Sequence, residues 1–121
     1  MNNIFVSLII PCRNEEKFIG KCLDSILEQD YPKEATEILV VDGMSNDKTR
    51  EIIAEYIKKY VFVRLLDNPK KIVPTAMNIG IKNCIGQIIV RLDAHNIYPN
   101  NYVSKCVKYL FDYNVDNVGG M

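Results

Sequence analysis

Short apolar segments alternate with longer amphipathic segments along the whole chain. The short segments are rich in aliphatic, often β-branched residues and predict buried strands of the kind found in parallel sheets. The longer ones repeat apolar residues at helical spacing and predict amphipathic helices. The predicted strands are Ile4–Ile10, Glu37–Val41, Val61–Leu66 and Gln87–Leu92, and Val115–Met121 begins another. The predicted helices are Lys17–Gln29, the segment from the turn after Asp47 to Tyr60, Pro74–Cys84 and Asn100–Tyr113.

The order of these elements, strand then helix with short connections, predicts the fold class. It requires right-handed crossovers and a mainly parallel sheet. We therefore predict a Rossmann-like α/β domain with helices on both faces of the sheet, incomplete at its C-terminus, and a single domain over residues 1–121. Pro11 is expected to end the first strand, and Gly80 indicates close packing or an early end of the third helix because glycine disfavours a helix interior.

Composition and charge narrow the possible functions. The 121 residues are 48% hydrophobic and 25% charged, which is typical of a globular domain. Basic and acidic residues number 15 each, so no net charge attracts nucleic acid, and no nucleic-acid partner is expected. The longest apolar run, Ile4–Ile10, is too short to span a bilayer, so membrane contact is expected only through parts outside this chain. The cysteine spacing and the absence of an export signal favour the cytoplasm, at the inner face of the membrane in a longer protein.

Polar clusters follow three of the predicted strands directly, at Pro11–Glu15, Asp42–Asp47 and Asp93–His95. One such cluster alone is most simply a solvated turn with helix caps. Three of them at one edge of a parallel sheet indicate a polar ligand site, because ligands bind beyond the carboxyl ends of the strands. Asp42 follows a buried strand directly, and Gly43 allows a ligand to approach the backbone closely. The Asp42 carboxylate can therefore accept hydrogen bonds from a base or a ribose.

The segment Asp93-Ala94-His95 carries the candidate metal chemistry. In an extended segment its carboxylate and imidazole project to the same side and can hold one cation. This donor pair suits Mn²⁺, whereas Mg²⁺ prefers oxygen ligands and is usually shared with substrate phosphates. Water and ligand must complete such a site, and the metal would clamp a diphosphate. The alternative for His95, the only histidine, is a turn residue hydrogen-bonded to backbone.

A second candidate for anion binding is the loop that contains Lys70 and Lys71, which precedes a helix N-terminus. Lysines in loops are more often only solvated. The P-loop and GxGxxG patterns are both absent, which argues against the two commonest phosphate-binding motifs of α/β proteins. A receiver-like signalling module shares the alternation of strands and helices, but it requires an acidic pair where this chain has Pro11-Cys12-Arg13.

The motifs taken in order resemble the family 2 glycosyltransferases, which have the GT-A fold and transfer sugar from a nucleotide diphosphate donor, usually with inversion. Each motif is weak alone, but their order and spacing are specific, and the match covers nearly the whole chain. The matching stretches are Ser7–Pro11 with Asn14-Glu15, Val40–Thr49, Asn78–Ile81 followed by Gly86–Ile89, and Asp93-Ala94-His95 in place of Asp-x-Asp. The chain looks like the N-terminal, nucleotide-sugar-binding part of such an enzyme.

The resemblance implies a nucleotide diphosphate sugar as donor, a glycan or lipid-linked acceptor, and Mn²⁺ or Mg²⁺ held by Asp93 and His95. The metal would stabilise charge on the departing nucleoside diphosphate. Inversion also needs a carboxylate general base, which the family's pattern places beyond Met121, so no catalytic residue is expected in this chain. The residues implied to bind nucleotide are Pro11, Arg13, Asn14, Glu15, Asp42, Gly43, Lys71, Asn78 and Asp93.

Two positions depart from the family's usual pattern. Gly43 replaces the second aspartate of Asp-Asp, so recognition of the base must depend on Asp42 or on backbone, and the base stays open. His95 replaces the last aspartate of Asp-x-Asp and keeps a metal-ligating atom. Both features are similar to a subgroup that makes bacterial exopolysaccharide. We predict inverting sugar transfer in polysaccharide synthesis; the alternative is a nucleotide-binding or assembly fragment without turnover.

Overall fold

The elements of the chain alternate as predicted, in a computed structural model that describes residues 4–113 and 117–119. The strands are β1 Val6–Cys12, β2 Thr36–Asp42, β3 Val63–Asp67, β4 Ile88–Arg91 and β5 Asn117–Gly119. The helices are α1 Ile19–Leu27, α2 Thr49–Lys59, α3 Val73–Asn83 and α4 Tyr102–Tyr113, and a 3₁₀ turn covers Lys33–Ala35. All strand pairs are parallel, in the order β3-β2-β1-β4-β5, so the predicted α/β class is confirmed. Of the predicted last strand, Val115, Asp116, Gly120 and Met121 lie outside the described residues.

The prediction that Pro11 ends the first strand is wrong, because β1 continues to Cys12. Ile9 accepts a hydrogen bond from Leu92 on one side at 2.9 Å, and Cys12 accepts one from Gly43 on the other side at 2.8 Å. Backbone groups alternate sides along a strand, so the Pro11 nitrogen faces the β4 side. Pairing with β4 ends at Ile9. Proline is tolerated there because the sheet does not need its missing N–H.

Helices cover both faces of the sheet, as predicted, but unequally. On one face α1, α2 and α4 pack over a large core that includes the fully buried Leu8 and Ile10 of β1. On the other face, α3 is the one helix of the described residues that lies over Ile9 and Val41. Successive β1 residues thus contact different helices, because side chains alternate across a strand. No helix in the described part of the chain is both long enough and apolar enough to cross a bilayer.

Gly80 sets how closely α3 approaches the sheet. A Cβ atom on Gly80 would lie 2.7 Å from Ile9 Cγ2 and 2.9 Å from Ile9 Cδ1, closer than carbon atoms can pack. The predicted close packing is confirmed, and α3 continues past Gly80 to Asn83. The short distance holds α3 against β1, with its first turn at the carboxyl edge of the sheet.

A buried polar network fixes the opposite, amino-terminal edge. Glu37 Oε2 accepts hydrogen bonds from Ser7 Oγ at 2.6 Å and from the Ile85 N–H at 2.7 Å. Its Oε1 accepts one from Arg64 Nη1 at 3.3 Å. The Gly86 N–H donates to Ser7 Oγ at 2.8 Å. The connection between α3 and β4 is thereby attached to β1 and β2.

Candidate functional site

The strand order creates a cleft between the loops that follow β1 and β4. From β1 the chain continues to β2 on one side of β1, and it later returns to β4 on the other side of β1. The loops after β1 and β4 therefore diverge, which makes this a topological switch point. Open α/β sheets bind ligands at such points. The cleft has a volume of about 160 Å³. Its walls come from the loop after β1, the loop after β3 with the start of α3, and the loop after β4.

Strand register aligns Cys12, Asp42 and Asp67 in one row at the carboxyl edge. Asp42 lies in the middle of this row and is completely buried. Its Oδ2 accepts hydrogen bonds from the Ser45 N–H and from Arg50 Nη1, both at 2.8 Å. Its Oδ1 accepts from Ser45 Oγ at 2.5 Å and from Cys12 Sγ at 3.4 Å. The carboxylate therefore lies beneath the cleft, with four protein donors around it.

The electrostatics of this row keep Asp42 ionised. Burial would raise the pKa of Asp42, but hydrogen bonds from Ser45, Arg50 and Cys12 outweigh burial and lower the pKa below its usual value. Arg50 Nη2 also donates to Asp67 Oδ1 at 2.6 Å, and the bonds to Asp67 and Asp42 raise the pKa of Arg50. The ion pairs join α2 to the ends of β2 and β3.

Gly43 allows the loops after β1, β2 and β3 to meet. Its carbonyl accepts a hydrogen bond from Arg13 Nε at 2.9 Å. A Cβ atom on Gly43 would lie 3.2 Å from Lys71 Cα and 3.2 Å from Arg13 Cδ. Any side chain at this position would press these loops apart, so glycine shapes the cleft without lining it.

Among the described residues, the non-glycine residues with left-handed backbone fall in these same three loops. They are Asn14 (φ 53°), Met44 (φ 59°) and Lys71 (φ 68°). This conformation costs an ordinary residue about 1–2 kcal/mol, and such strain clusters at functional sites. Asn14 joins two of the loops, since its Oδ1 accepts from the Asn46 N–H at 2.9 Å and its N–H donates to Ser45 Oγ at 2.7 Å.

The loop after β4 brings Asp93 and His95 to one wall of the cleft. The Asp93 backbone is fixed, because its N–H donates to Tyr98 Oη at 2.7 Å and its carbonyl accepts from Cys22 Sγ at 3.3 Å. The Asp93 carboxylate is about half exposed. The exposed His95 ring has Nδ1 3.1 Å from Glu15 Oε2.

Ser25 of α1 and Gln29, which follows the end of α1, support this loop from below. Gln29 Nε2 donates to the Pro99 carbonyl at 2.7 Å, and its Oε1 accepts from the Val103 N–H at 3.0 Å. Ser25 Oγ accepts from the Tyr98 N–H at 3.0 Å. Sequence reasoning missed these supports. Their only signal is that polar residues occur on the apolar face of a predicted helix.

Comparison with known proteins identifies the family. The model of "Glycosyl transferase family 2" matches residues 7–121. The chain belongs to this family. It is 47% identical over 97 residues to the "Dolichyl N-acetyl-alpha-D-glucosaminyl phosphate 3-beta-D-2,3-diacetamido-2,3-dideoxy-beta-D-glucuronosyltransferase" of Methanococcus voltae, covering 78% of this chain and 30% of that protein. It is 31% identical over 113 residues to the succinoglycan biosynthesis protein ExoA of Rhizobium meliloti, covering 92% of this chain and 34% of that protein.

This family 2 chain thus spans about a third of the length of these relatives. The solved mannosyltransferase PcManGT from Pyrobaculum calidifontis, in complex with GDP-Man and Mn²⁺, superposes with a TM-score of 0.83 at 29% identity. The match covers 90% of this chain and 33% of that one. These likenesses confirm the predicted family and GT-A fold, and an exopolysaccharide protein is among the relatives, as the subgroup features suggested.

The structure brings most of the predicted site residues to the cleft, but not all. Those that line it are Pro11, Arg13, Glu15, Lys71, Asp93 and His95. The other four are Asn14, Asp42, Gly43 and Asn78. The first three lie behind or beside the cleft. Asn78 is exposed on α3. The residue of this part of α3 that lines the cleft is the buried Ala76. Nucleotide contact by these four stays a prediction.

Asn68 is the polar residue of the cleft that the prediction omitted. It is buried, its Nδ2 donates to the Ile72 carbonyl at 2.9 Å, and its Oδ1 accepts from Thr75 Oγ1 at 2.9 Å. Its N–H donates to the Asp42 carbonyl at 2.8 Å. Its position directly after β3, at the same edge as the other clusters, was the available signal. The other residues that line the cleft and were not predicted as site residues are Cys12, Ile72, Val73, Ala76 and Ala94.

The donor atoms of the cleft fit a divalent cation that shares its ligands with a substrate. Within residues 4–113 and 117–119, no group of three or more His, Cys, Asp or Glu side chains is placed to hold a metal ion. Asp93 offers an exposed carboxylate, and the contact of Glu15 with Nδ1 leaves Nε2 of His95 as the ring atom for a metal. A carboxylate behind a histidine is the usual support of a histidine metal ligand.

Proposed function

We propose that this chain binds a nucleoside diphosphate sugar in the cleft between the loops after β1 and β4. One observation carries the proposal: Asp93 and His95 line the same cleft as the cationic Arg13 and Lys71, which come from the loops after β1 and β3. A metal held by Asp93 and His95, together with these two cationic side chains, would neutralise the negative charge of a diphosphate. The likeness to a mannosyltransferase bound to GDP-Man and Mn²⁺ supports the same assignment.

Four polar residues of the cleft have a direct role in this proposal. Asp93 and His95 would hold Mn²⁺ or Mg²⁺, which supplies Lewis-acid stabilisation of the leaving diphosphate when bound. Arg13 is oriented by its Nε bond to the Gly43 carbonyl and directs its other N–H groups to phosphate oxygen. Lys71 contributes a second positive charge. Asp42 positions the surrounding loops from beneath.

We propose that the whole protein transfers the sugar to a glycan or lipid-linked acceptor with inversion, in polysaccharide synthesis. The names of the relatives from Methanococcus voltae and Rhizobium meliloti, a dolichyl-phosphate-linked sugar transferase and a succinoglycan biosynthesis protein, support this class of acceptor. The cysteines are free thiols, which suits the reducing cytoplasm that we propose as the location.

Calorimetric titration tests the donor site. The chain is titrated with UDP and with GDP, each with and without Mn²⁺. We expect binding of one of them that requires the metal and is lost in Asp93→Ala. Asp30→Ala, which removes an exposed carboxylate outside the cleft, should bind like the wild type. Absence of binding at millimolar nucleotide would contradict the proposal.

An assay of nucleoside diphosphate release separates the two candidate functions. The alternative is a nucleotide-binding or assembly fragment without turnover. If the metal-dependent complex forms but the whole protein releases no nucleoside diphosphate from donor sugars in the presence of glycan acceptors, this alternative is correct.

A further inference from the structure

His95 is held from two sides by the loop that follows β1. Glu15 Oε2 lies 3.1 Å from His95 Nδ1. The Phe18 ring meets the His95 ring edge-on, with 6.3 Å between centroids and 67° between planes. Glu15 is only 22% exposed, whereas His95 is 58% exposed. The carboxylate is therefore the more buried partner.

The backbone around Glu15 is fixed independently of its side chain. Its N–H donates to Thr49 Oγ1 at 2.8 Å, and its carbonyl accepts from the N–H groups of Phe18 and Ile19 at 3.0 and 2.9 Å. The Glu15 carboxylate thus projects from an anchored turn at the start of α1. Because it contacts only one ring nitrogen of His95, it can fix both the orientation and the tautomer of the ring.

The chemistry of imidazole makes this contact selective. A neutral ring carries one hydrogen, on Nδ1 or on Nε2, and a carboxylate accepts hydrogen bonds but donates none when ionised. The contact with Glu15 therefore places the hydrogen on Nδ1 and leaves the lone pair on Nε2. Only a ring nitrogen with a lone pair can bind a metal, and the hydrogen bond at the other nitrogen decides which one does.

We propose that Glu15 is a positioning residue that prepares His95 Nε2 for the divalent cation, rather than a direct contact of the nucleotide. The metal role rests on the proposed function, whereas the tautomer belongs to the metal-free chain and can be measured without it. The pairing joins residues 80 positions apart, across two of the loops that form the cleft.

Nitrogen-15 NMR of the metal-free chain tests the tautomer directly. His95 is the only histidine, so the ring gives one unambiguous set of signals. At a pH where the ring is neutral, we expect the Nδ1–H tautomer in the wild type. This preference should disappear in Glu15→Ala and in Glu15→Met, which keeps the length of the side chain without its acceptor. Glu16→Ala, which removes the neighbouring exposed carboxylate, should leave it unchanged.

Mn²⁺ titration in saturating nucleoside diphosphate tests the consequence. The Kd for Mn²⁺ should rise about 10- to 100-fold in Glu15→Ala and Glu15→Met, the usual effect of removing such a support, and should not change in Glu16→Ala. At Mn²⁺ concentrations that saturate every chain, the affinity for nucleotide should be the same in all three variants as in the wild type. Amide spectra of each variant establish that it is folded.

The outcomes separate the inference from the function on which it rests. If the wild type binds no Mn²⁺, the proposed function fails and takes this inference with it. If the wild type binds Mn²⁺ and Glu15→Ala binds it equally tightly, the inference alone is overturned. The inference is also overturned if Glu15→Ala weakens nucleotide binding at saturating Mn²⁺, or lowers Mn²⁺ affinity while the tautomer stays the same, because Glu15 would then be a direct ligand.

Discussion

The fully buried carboxylate of Asp42 and the guanidinium of Arg50 form an ion pair with 2.8 Å between Oδ2 and Nη1. Arg50 is about one-third exposed and continues to Asp67 at the surface. Arg50 therefore connects the surface of α2 to the centre of the carboxyl edge of the sheet. Because Asp42 also binds Ser45 and Cys12, its removal should loosen the ends of β1, β2 and β3 beneath the cleft.

Asp42→Asn should destabilise the fold by about 2–3 kcal/mol, since it weakens charge-assisted hydrogen bonds in a buried place. Urea unfolding at pH 7 measures the free energy of unfolding of both chains. Asp67→Asn is the matched control, and it should cost less than about 1 kcal/mol because that carboxylate is exposed. Equal losses in the two variants would show that burial does not strengthen the pair.

The stability difference between wild type and Asp42→Asn should depend on pH. The pKa of Asp42 is lowered in the folded chain, so its stabilisation is complete above the usual aspartate value of about 4 and is lost as the pH falls through the folded value. The difference should therefore be constant near neutral pH and shrink below about pH 4. A difference that stays unchanged through this range would contradict an ionised Asp42.

Lys71→Gly should separate stability from binding. Lys71 has φ 68°, so glycine should relieve backbone strain and raise the free energy of unfolding by up to about 1 kcal/mol. The same change removes a cation from the cleft and should weaken nucleoside diphosphate binding about tenfold. Lys70→Gly is the control, because its backbone is not left-handed; it should bind normally and gain no stability. A destabilised Lys71→Gly would argue against strain at this position.

Gly80→Ala should destabilise the fold, against the trend of helix propensity. Alanine in a helix interior is normally better than glycine by about 1 kcal/mol. Here the new methyl group would collide with the buried, β-branched Ile9, and overpacking typically costs about 1–3 kcal/mol. Asn78→Ala, on the exposed side of α3, should be neutral or slightly stabilising. Thermal unfolding of both variants measures their stabilities. A stabilised Gly80→Ala would contradict the close approach of α3 to Ile9.

Glu37→Ala should lower stability without changing nucleotide affinity. It leaves the Ser7 hydroxyl, the Ile85 N–H and Arg64 without their buried acceptor, which should cost about 2–4 kcal/mol. The network lies at the amino-terminal edge of the sheet, away from the cleft. Glu55→Ala removes an exposed carboxylate paired with Lys58 and should cost less than about 1 kcal/mol. Weaker nucleotide binding by folded Glu37→Ala would show that the two edges are coupled.

The sequence alone determined which segments form strands and helices, the parallel α/β class, and the collection of polar clusters at one edge. These follow from periodicity and element order, which depend on near neighbours in the chain. Asp93 and His95 were predicted together for the same reason, since they share one loop. The order and spacing of the sequence motifs added the resemblance to the family, and this resemblance implied the metal.

Only the tertiary structure decided how these parts meet. Pro11 belongs to β1 because β4 ends before reaching its nitrogen, and Asp42 lies beneath the cleft because donors from β1 and α2 converge on it. The contact of Glu15 with His95 likewise depends on two loops that are distant in sequence. Partners of this kind are set by strand register and by the approach of loops, so local sequence patterns specify the side chains at this edge but not the contacts that give each its role.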